Sequence, residues 1–120
     1  MNKVLIIDDS KSARFFLRSC LPKDDIELRE ASDGEAGLAA AQEFAPDVVF
    51  LDLTMPVMDG YTALPLIRQA VPSCKVIVLT ADIQQKSIER IEAAGAFMHL
   101  KKPPRKDTVQ TALAAALGQD

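Results

Sequence analysis

Five polar side chains stand directly after short apolar runs, and their types fit one kind of chemistry. They are Asp8 and Asp9 after residues 4–7, Asp52 after residues 48–51, Thr80 after residues 76–79, and Lys102 near the end of a weaker run at residues 96–100. Three carboxylates brought together repel one another unless a cation neutralises them. Oxygen ligands of this kind favour magnesium, which commonly binds through one or two carboxylates, waters and a phosphate.

The remaining two side chains suit the same interpretation. An ammonium group and a hydroxyl can hold the oxygens of a phosphoryl group that the metal leaves free. A carboxylate can itself attack phosphorus and form an aspartyl phosphate. We therefore expect phosphoryl-transfer chemistry that depends on positioning and charge neutralisation.

The apolar runs are typical of strands buried on both faces. Residues 4–7, 48–51 and 76–79 are continuous and rich in valine, isoleucine and leucine, as in the centre of a parallel sheet. Residues 26–29 and 96–100 have weaker patterns and are predicted to be edge strands. Because parallel strands bring their carboxyl ends to one edge, the five polar side chains are expected to converge there.

Helical patterns fill the intervals between these strands. The second helix is predicted to begin at Ser32-Asp33 and to end at Ala45-Pro46. The third is predicted to begin at Asp59-Gly60 and to contain Pro65, which should remove one backbone hydrogen bond and bend the helix unless it sits early in it. The fourth is predicted over residues 83–94, and the fifth is predicted to reach Leu117. Strand–helix alternation of this kind indicates an α/β domain with right-handed crossovers.

Composition excludes several classes of function. A chain of 120 residues with a net charge of −3 and no basic stripe is a poor nucleic-acid binder. No apolar run is long enough for a membrane span, and the N-terminal run is too short for a secretory signal, so a cytoplasmic protein is expected. Cys20 and Cys74 lack metal-ligand spacing and are interpreted as small buried thiols. Residues 118–120 leave no room for an output domain, so residues 1–120 are predicted to be a single domain.

Four motifs together resemble the receiver domain of two-component response regulators. They are residues 4–10 (VLIIDDS), residues 52–60 (DLTMPVMDG), residues 78–81 (VLTA), and Ala94-Gly95-Ala96 followed by Lys102-Pro103. The set spans almost the whole chain in the order and spacing of that family. The resemblance implies a flavodoxin-like five-stranded parallel sheet of order 2-1-3-4-5, flanked by five helices.

The resemblance also assigns roles in the acidic site. Asp52 corresponds to the phosphoacceptor. Asp9 and Asp52 correspond to direct magnesium ligands, together with the backbone carbonyl of Thr54, and Asp8 corresponds to an acid that acts through a metal-bound water. Lys102 corresponds to the lysine that pairs with the phosphoryl group, and its bond to Pro103 is expected to be cis.

Two further positions are implied to belong to a switch. The hydroxyl of Thr80 is expected to bond a phosphoryl oxygen once Asp52 is modified. His99 stands where many receivers carry Tyr or Phe, and the second proline of Lys102-Pro103-Pro104 replaces the common Phe. Both departures concern the surface that faces partners rather than the acidic site.

The function implied is that of a stand-alone response regulator, similar to those of chemotaxis, which catalyses only its own phosphorylation and dephosphorylation. A sensor histidine kinase or a histidine phosphotransfer protein would donate the phosphoryl group to Asp52 in a magnesium-dependent reaction. The signal would be a conformational switch at the face of the fourth helix, fifth strand and fifth helix, recognised by a downstream protein target. A monomer is expected, and motor or adaptor control or a phosphorelay step would suit it.

Three alternatives belong to other classes of protein. A metal-dependent phosphatase with an aspartyl nucleophile would carry a second acid two residues after it, where this chain has Thr54. A flavodoxin-like cofactor binder would need a phosphate-binding loop rich in Ser, Thr and Gly after the first strand, where Asp8-Asp9 stands. A degenerate receiver that only binds partners is disfavoured because all five key residues are present.

Overall fold

Strands and helices alternate along the chain in the computed structural model, which describes residues 1–118. The strands are β1 (Asn2–Ile7), β2 (Ile26–Ala31), β3 (Val48–Asp52), β4 (Lys75–Thr80) and β5 (Met98–Lys101). The helices are α1 (Lys11–Cys20), α2 (Gly34–Phe44), α3 (Gly60–Ala70), α4 (Gln85–Ala93) and α5 (Lys106–Ala116). All neighbouring strands pair in parallel, in the order β2-β1-β3-β4-β5. The predicted flavodoxin-like fold is therefore confirmed.

The strand register explains where the site forms. β1 and β3 lie side by side, with Val4 opposite Val48 and Ile7 opposite Leu51. Asp8, which follows Ile7, and Asp52, which follows Leu51, therefore lie at the same level of the sheet, beside the point where the strand order reverses. At the other side of β3, Asp52 pairs with Leu79, so that Thr80 follows one residue further along β4.

The core consists of two apolar layers, one on each face of the sheet. Leu5 and Ile7 of β1 face α2 and α3, whereas Val4 and Ile6 face α1 and α5. This alternation follows from the two-residue period of a strand, and it requires apolar residues at every position of a central strand. Cys20 and Cys74 are each 1% exposed and unpaired, as predicted, and burial raises the pKa of both thiols.

Side-chain caps fix the beginnings of the first three helices. The hydroxyl of Ser10 accepts a hydrogen bond from the Ala13 amide, and the carboxylates of Asp33 and Asp59 accept from the amides of Ala36 and Thr62. The predicted beginnings of α2 and α3 are confirmed. Such caps satisfy amides that have no partner inside the helix. They therefore fix where the loop that precedes each of these helices ends.

Several predicted boundaries differ from the structure by one or two residues. α4 begins at Gln85 rather than at residue 83, because the Asp82 carboxylate accepts hydrogen bonds from Gln84 and Ser87 and holds the preceding loop. β5 spans Met98–Lys101 rather than residues 96–100, and α5 ends at Ala116, with Leu117 as its cap. Residues 119 and 120, which were predicted to lie beyond the last helix, are outside the described residues.

Pro65 lies inside α3, which continues to Ala70. Because proline has no amide hydrogen, the carbonyl of Tyr61 lacks the donor that residue 65 would otherwise supply. Among residues 1–118, the helices are too short and too polar for any of them to cross a membrane.

Candidate functional site

The three predicted acidic side chains meet at the carboxyl edge of the sheet. Asp8, Asp9 and Asp52 each place one carboxylate oxygen within 4.8 Å of the others. Asp8 is 1% exposed and Asp52 is 2% exposed, whereas Asp9 is open to solvent. Two buried carboxylates beside an exposed one form a pocket that a cation can enter from the surface.

Asp8 is held in place from several sides. Its amide donates to the Ala31 carbonyl at 3.0 Å, its Oδ1 accepts from the Ser10 amide at 2.9 Å, and its carbonyl accepts from the Arg14 guanidinium at 2.6 Å. Burial raises the pKa of Asp8; the bond from the Ser10 amide opposes this rise, and the nearby charge of Asp52 adds to it. A group whose ionised form is disfavoured in this way gains from a divalent cation, which inverts the local electrostatics.

Lys102 supplies the one ammonium that contacts this acidic pocket among the described residues. Its Nζ donates to Oδ1 of Asp52 at 2.8 Å and lies 4.0 Å from Oδ2 of Asp8. Partial burial lowers the pKa of Lys102, but the hydrogen bond and charge of Asp52, with the charges of Asp8 and Asp9, raise it overall. The Lys102–Pro103 peptide bond is cis, as predicted.

Thr80 lies at the end of β4 and is 5% exposed. Its hydroxyl accepts a hydrogen bond from the Asp82 amide at 3.0 Å and can donate to the Asp82 carbonyl at 3.3 Å. Its own carbonyl accepts from the Lys102 amide at 3.0 Å. The hydroxyl is therefore engaged within the β4–α4 loop, while the backbone of Thr80 is joined to that of Lys102.

The β3–α3 loop runs close to the acidic pocket and depends on a glycine. The Gly60 amide donates to the Leu53 carbonyl at 3.0 Å, and a Cβ at Gly60 would collide with the Asp52 carbonyl oxygen. Thr54 is exposed at the beginning of this loop. Val57 has a φ of 68°, a left-handed conformation that is rare for a β-branched residue.

His99, a predicted switch residue, lies apart from the acidic pocket. It is exposed on β5, opposite Val78 of β4, and it borders a shallow cleft of about 300 Å³ toward Asp107 and Thr108 of α5. The structure thus brings Asp8, Asp9, Asp52 and Lys102 together. It leaves His99 on the outer surface of β5.

Sequence reasoning did not identify two residues that support the site. Arg14 contacts the Asp8 carbonyl and is itself held by Glu30 at 3.1 Å. Ser87 donates to the carboxylate of Asp82 at 2.6 Å. For Arg14, the signal is a basic residue one helical turn beyond the acidic pair. The position of Ser87 depends on the path of a loop, which no periodicity reveals.

A doubly wound α/β domain with clustered acids and one lysine at its carboxyl edge defines a class of flavodoxin-like phosphoryl-accepting proteins. Comparison with known proteins gives the family: residues 4–114 match the response regulator receiver domain. The chain belongs to this family, whose members are phosphoacceptor signalling domains that bind Mg²⁺ at an acidic pocket.

Individual relatives agree with this assignment. The chain is 41% identical over 105 residues to a protein-glutamate methylesterase/protein-glutamine glutaminase of Maricaulis maris, covering 84% of this chain but only 26% of that protein. It is 38% identical over 117 residues to the chemotaxis protein CheY of Listeria monocytogenes, covering 97% of this chain and 98% of that protein.

A solved structure shows the same fold. The structure of a CheX–CheY–BeF₃–Mg²⁺ complex from Borrelia burgdorferi contains a chain that superposes with a TM-score of 0.90 at 27% identity. The alignment covers 97% of this chain and 89% of that chain. The fold is therefore that of receivers, which occur both alone and as parts of larger proteins.

Proposed function

We propose that this chain is a response regulator that accepts a phosphoryl group on Asp52 in a magnesium-dependent reaction. The observation that carries the proposal is the contact between Lys102 and Asp52 at 2.8 Å inside a cluster of three carboxylates. An ammonium so close to one carboxylate can neutralise the charge that a phosphoryl group would bring to that oxygen.

The surroundings of the three acids favour Asp52 as the acceptor. Asp8 is buried, and its Oδ1 already accepts a hydrogen bond from the Ser10 amide. Asp9 is exposed to solvent. Among the three acids, Asp52 is the one that accepts a hydrogen bond from the Lys102 ammonium. In the transfer, a carboxylate oxygen of Asp52 would form a bond to phosphorus while the bond from phosphorus to the donor nitrogen breaks.

The donor set fits magnesium, because it consists of hard oxygen ligands with an exposed acid at the entrance. Asp9 and Asp52 would hold the ion directly with the Thr54 carbonyl, and Asp8 would act through a bound water. The ion would supply charge neutralisation at the phosphoryl oxygens. The magnesium and beryllofluoride named for the Borrelia complex support this assignment.

The signal would arise after transfer. The Thr80 hydroxyl would leave Asp82 and bond a phosphoryl oxygen, and the face formed by α4, β5 and α5, which includes His99, would change its preferred conformation. A sensor histidine kinase or a histidine phosphotransfer protein would be the donor, and the transfer would take place in the cytoplasm. A downstream protein target would recognise the changed face. The match to 98% of the length of the Listeria CheY supports a regulator of that kind.

Intact mass spectrometry after incubation with acetyl phosphate and Mg²⁺ tests the proposal. We expect one phosphoryl adduct that is absent from Asp52→Asn and from samples that contain EDTA. Asp47→Asn is the matched control, because Asp47 precedes the same strand at its opposite end and is exposed. An adduct that survives in Asp52→Asn would overturn the assignment. Steady release of phosphate from diverse monoesters would favour a phosphatase instead.

A further inference from the structure

A chain of hydrogen bonds joins the Thr80 hydroxyl to the first turn of α4. The Asp82 amide donates to Thr80 Oγ1 at 3.0 Å. The Asp82 carboxylate accepts at both oxygens, from the Gln84 amide at 3.0 Å and from the Ser87 hydroxyl at 2.6 Å. Thr80 ends β4 and Ser87 lies in the first turn of α4. Hydrogen bonds through Asp82 therefore connect both ends of the β4–α4 loop.

Two of these bonds are accepted by the side chain of Asp82. Both acceptors belong to a charged carboxylate, and hydrogen bonds to charged groups are shorter and stronger than those between neutral partners. The bonds from Ser87 and Gln84 lower the pKa of Asp82, so the carboxylate remains ionised at neutral pH. The residue at the beginning of α4, Gln84, makes no side-chain cap bond, and its own amide donates to Asp82.

We infer that Ser87 is a positioning residue that holds the Thr80 hydroxyl in its resting orientation through Asp82. The inference rests on the proposed function, in which this hydroxyl must reach the phosphoryl group on Asp52. To do so, Thr80 has to give up the Asp82 amide and carbonyl, and the loop has to move away from the position in which Ser87 secures it. The Ser87–Asp82 bond therefore stabilises the unphosphorylated state relative to the phosphorylated one.

Removing this bond is expected to shift the protein toward the activated state before any phosphoryl group arrives. A ligand that binds the activated state better then binds more tightly, because less free energy is spent on the conformational change. For the loss of one hydrogen bond, we expect beryllofluoride affinity in saturating Mg²⁺ to rise about three- to tenfold in Ser87→Ala.

The experiment is a titration with beryllofluoride followed by NMR, with the Asp82 amide as the reporter because it donates to Thr80. Ser87→Thr, which keeps a hydroxyl, should restore the affinity of the original protein. Thr62→Ala is the control, because Thr62 occupies the corresponding exposed position in the first turn of α3. In a Thr80→Val background, Ser87→Ala should have no effect on affinity, since the two residues act through one pathway.

The outcomes separate the inference from the proposed function. If the original protein binds beryllofluoride and Ser87→Ala binds it equally well or more weakly, the inference is wrong and the proposed function stands. If the original protein neither binds beryllofluoride nor forms an adduct on Asp52, the proposed function itself is wrong. A merely structural role of Ser87 would lower the melting temperature without changing beryllofluoride affinity, which would also overturn the inference.

Discussion

The ammonium of Lys102 lies 2.8 Å from Oδ1 of Asp52, although fifty residues separate them in the sequence. The contact crosses two strand pairs, from β5 over β4 to β3. It offsets part of the repulsion among three neighbouring carboxylates, and it occupies one acceptor oxygen of Asp52. The Lys102 ammonium would thus compete with a metal ion for the carboxylate of Asp52, and it would also pair with the proposed phosphoryl group.

Replacing Lys102 with alanine is expected to separate these two effects. Without the ammonium, the acids hold Mg²⁺ several-fold more tightly, since one competing cation is removed. Phosphorylation by acetyl phosphate should nevertheless fall by about 10²-fold, the usual cost of losing one preorganised charge partner. Calorimetric titration with Mg²⁺ and the rate of adduct formation measure the two quantities. Lys101→Ala, at the exposed neighbouring position, should change neither; weaker Mg²⁺ binding in Lys102→Ala would contradict the account.

Asp8→Asn is expected to stabilise the protein in the absence of metal. Burial raises the pKa of Asp8 in the folded state above its usual value, so the folded state binds this proton more tightly than the unfolded state does. Stability from this group is therefore present at acid pH and is lost as pH rises from the unfolded toward the folded pKa. In EDTA at pH 7, urea denaturation should show a gain of about 1 kcal/mol for Asp8→Asn. The gain should shrink at acid pH and should be absent in the exposed control Asp24→Asn.

Val57→Asn is expected to stabilise the protein through the backbone. Val57 is 76% exposed with a φ of 68°, so the substitution removes little buried surface and relieves a conformation that β-branched residues disfavour. Asparagine tolerates this region, and a gain of about 0.5–1 kcal/mol in the free energy of unfolding is expected. Val57→Thr keeps the β-branch and serves as the control. Equal stability of both variants would show that the backbone at this position is not strained.

Gly60→Ala is expected to disturb the acceptor as well as the fold. The added Cβ would collide with the Asp52 carbonyl oxygen and the Leu53 backbone, so α3 or the end of β3 must shift. We expect a loss of about 2 kcal/mol in stability and slower phosphorylation of Asp52. Gly118→Ala, where no atom lies within 4 Å of the added Cβ, should leave the phosphorylation rate unchanged. A normal rate in Gly60→Ala would mean that the loop adapts without moving Asp52.

The sequence predicts the sheet and its acidic edge because both depend on simple patterns. A strand such as β3 is apolar at every position before Asp52, and it is buried throughout. The caps at Asp33 and Asp59 are equally local signals. The strand order, by contrast, depends on long-range pairing and was reached through family resemblance. The bonds of Asp82 with Ser87 were missed because they depend on how a loop folds back onto the following helix.

The amide of Lys102 donates to the carbonyl of Thr80 at 3.0 Å. The lysine proposed to pair with the phosphoryl group and the threonine proposed to respond to it are therefore joined by one backbone hydrogen bond. A shift of Lys102 would therefore act directly on the backbone of Thr80. In the proposed switch, the size of the response would then depend on how readily the β4–α4 loop moves.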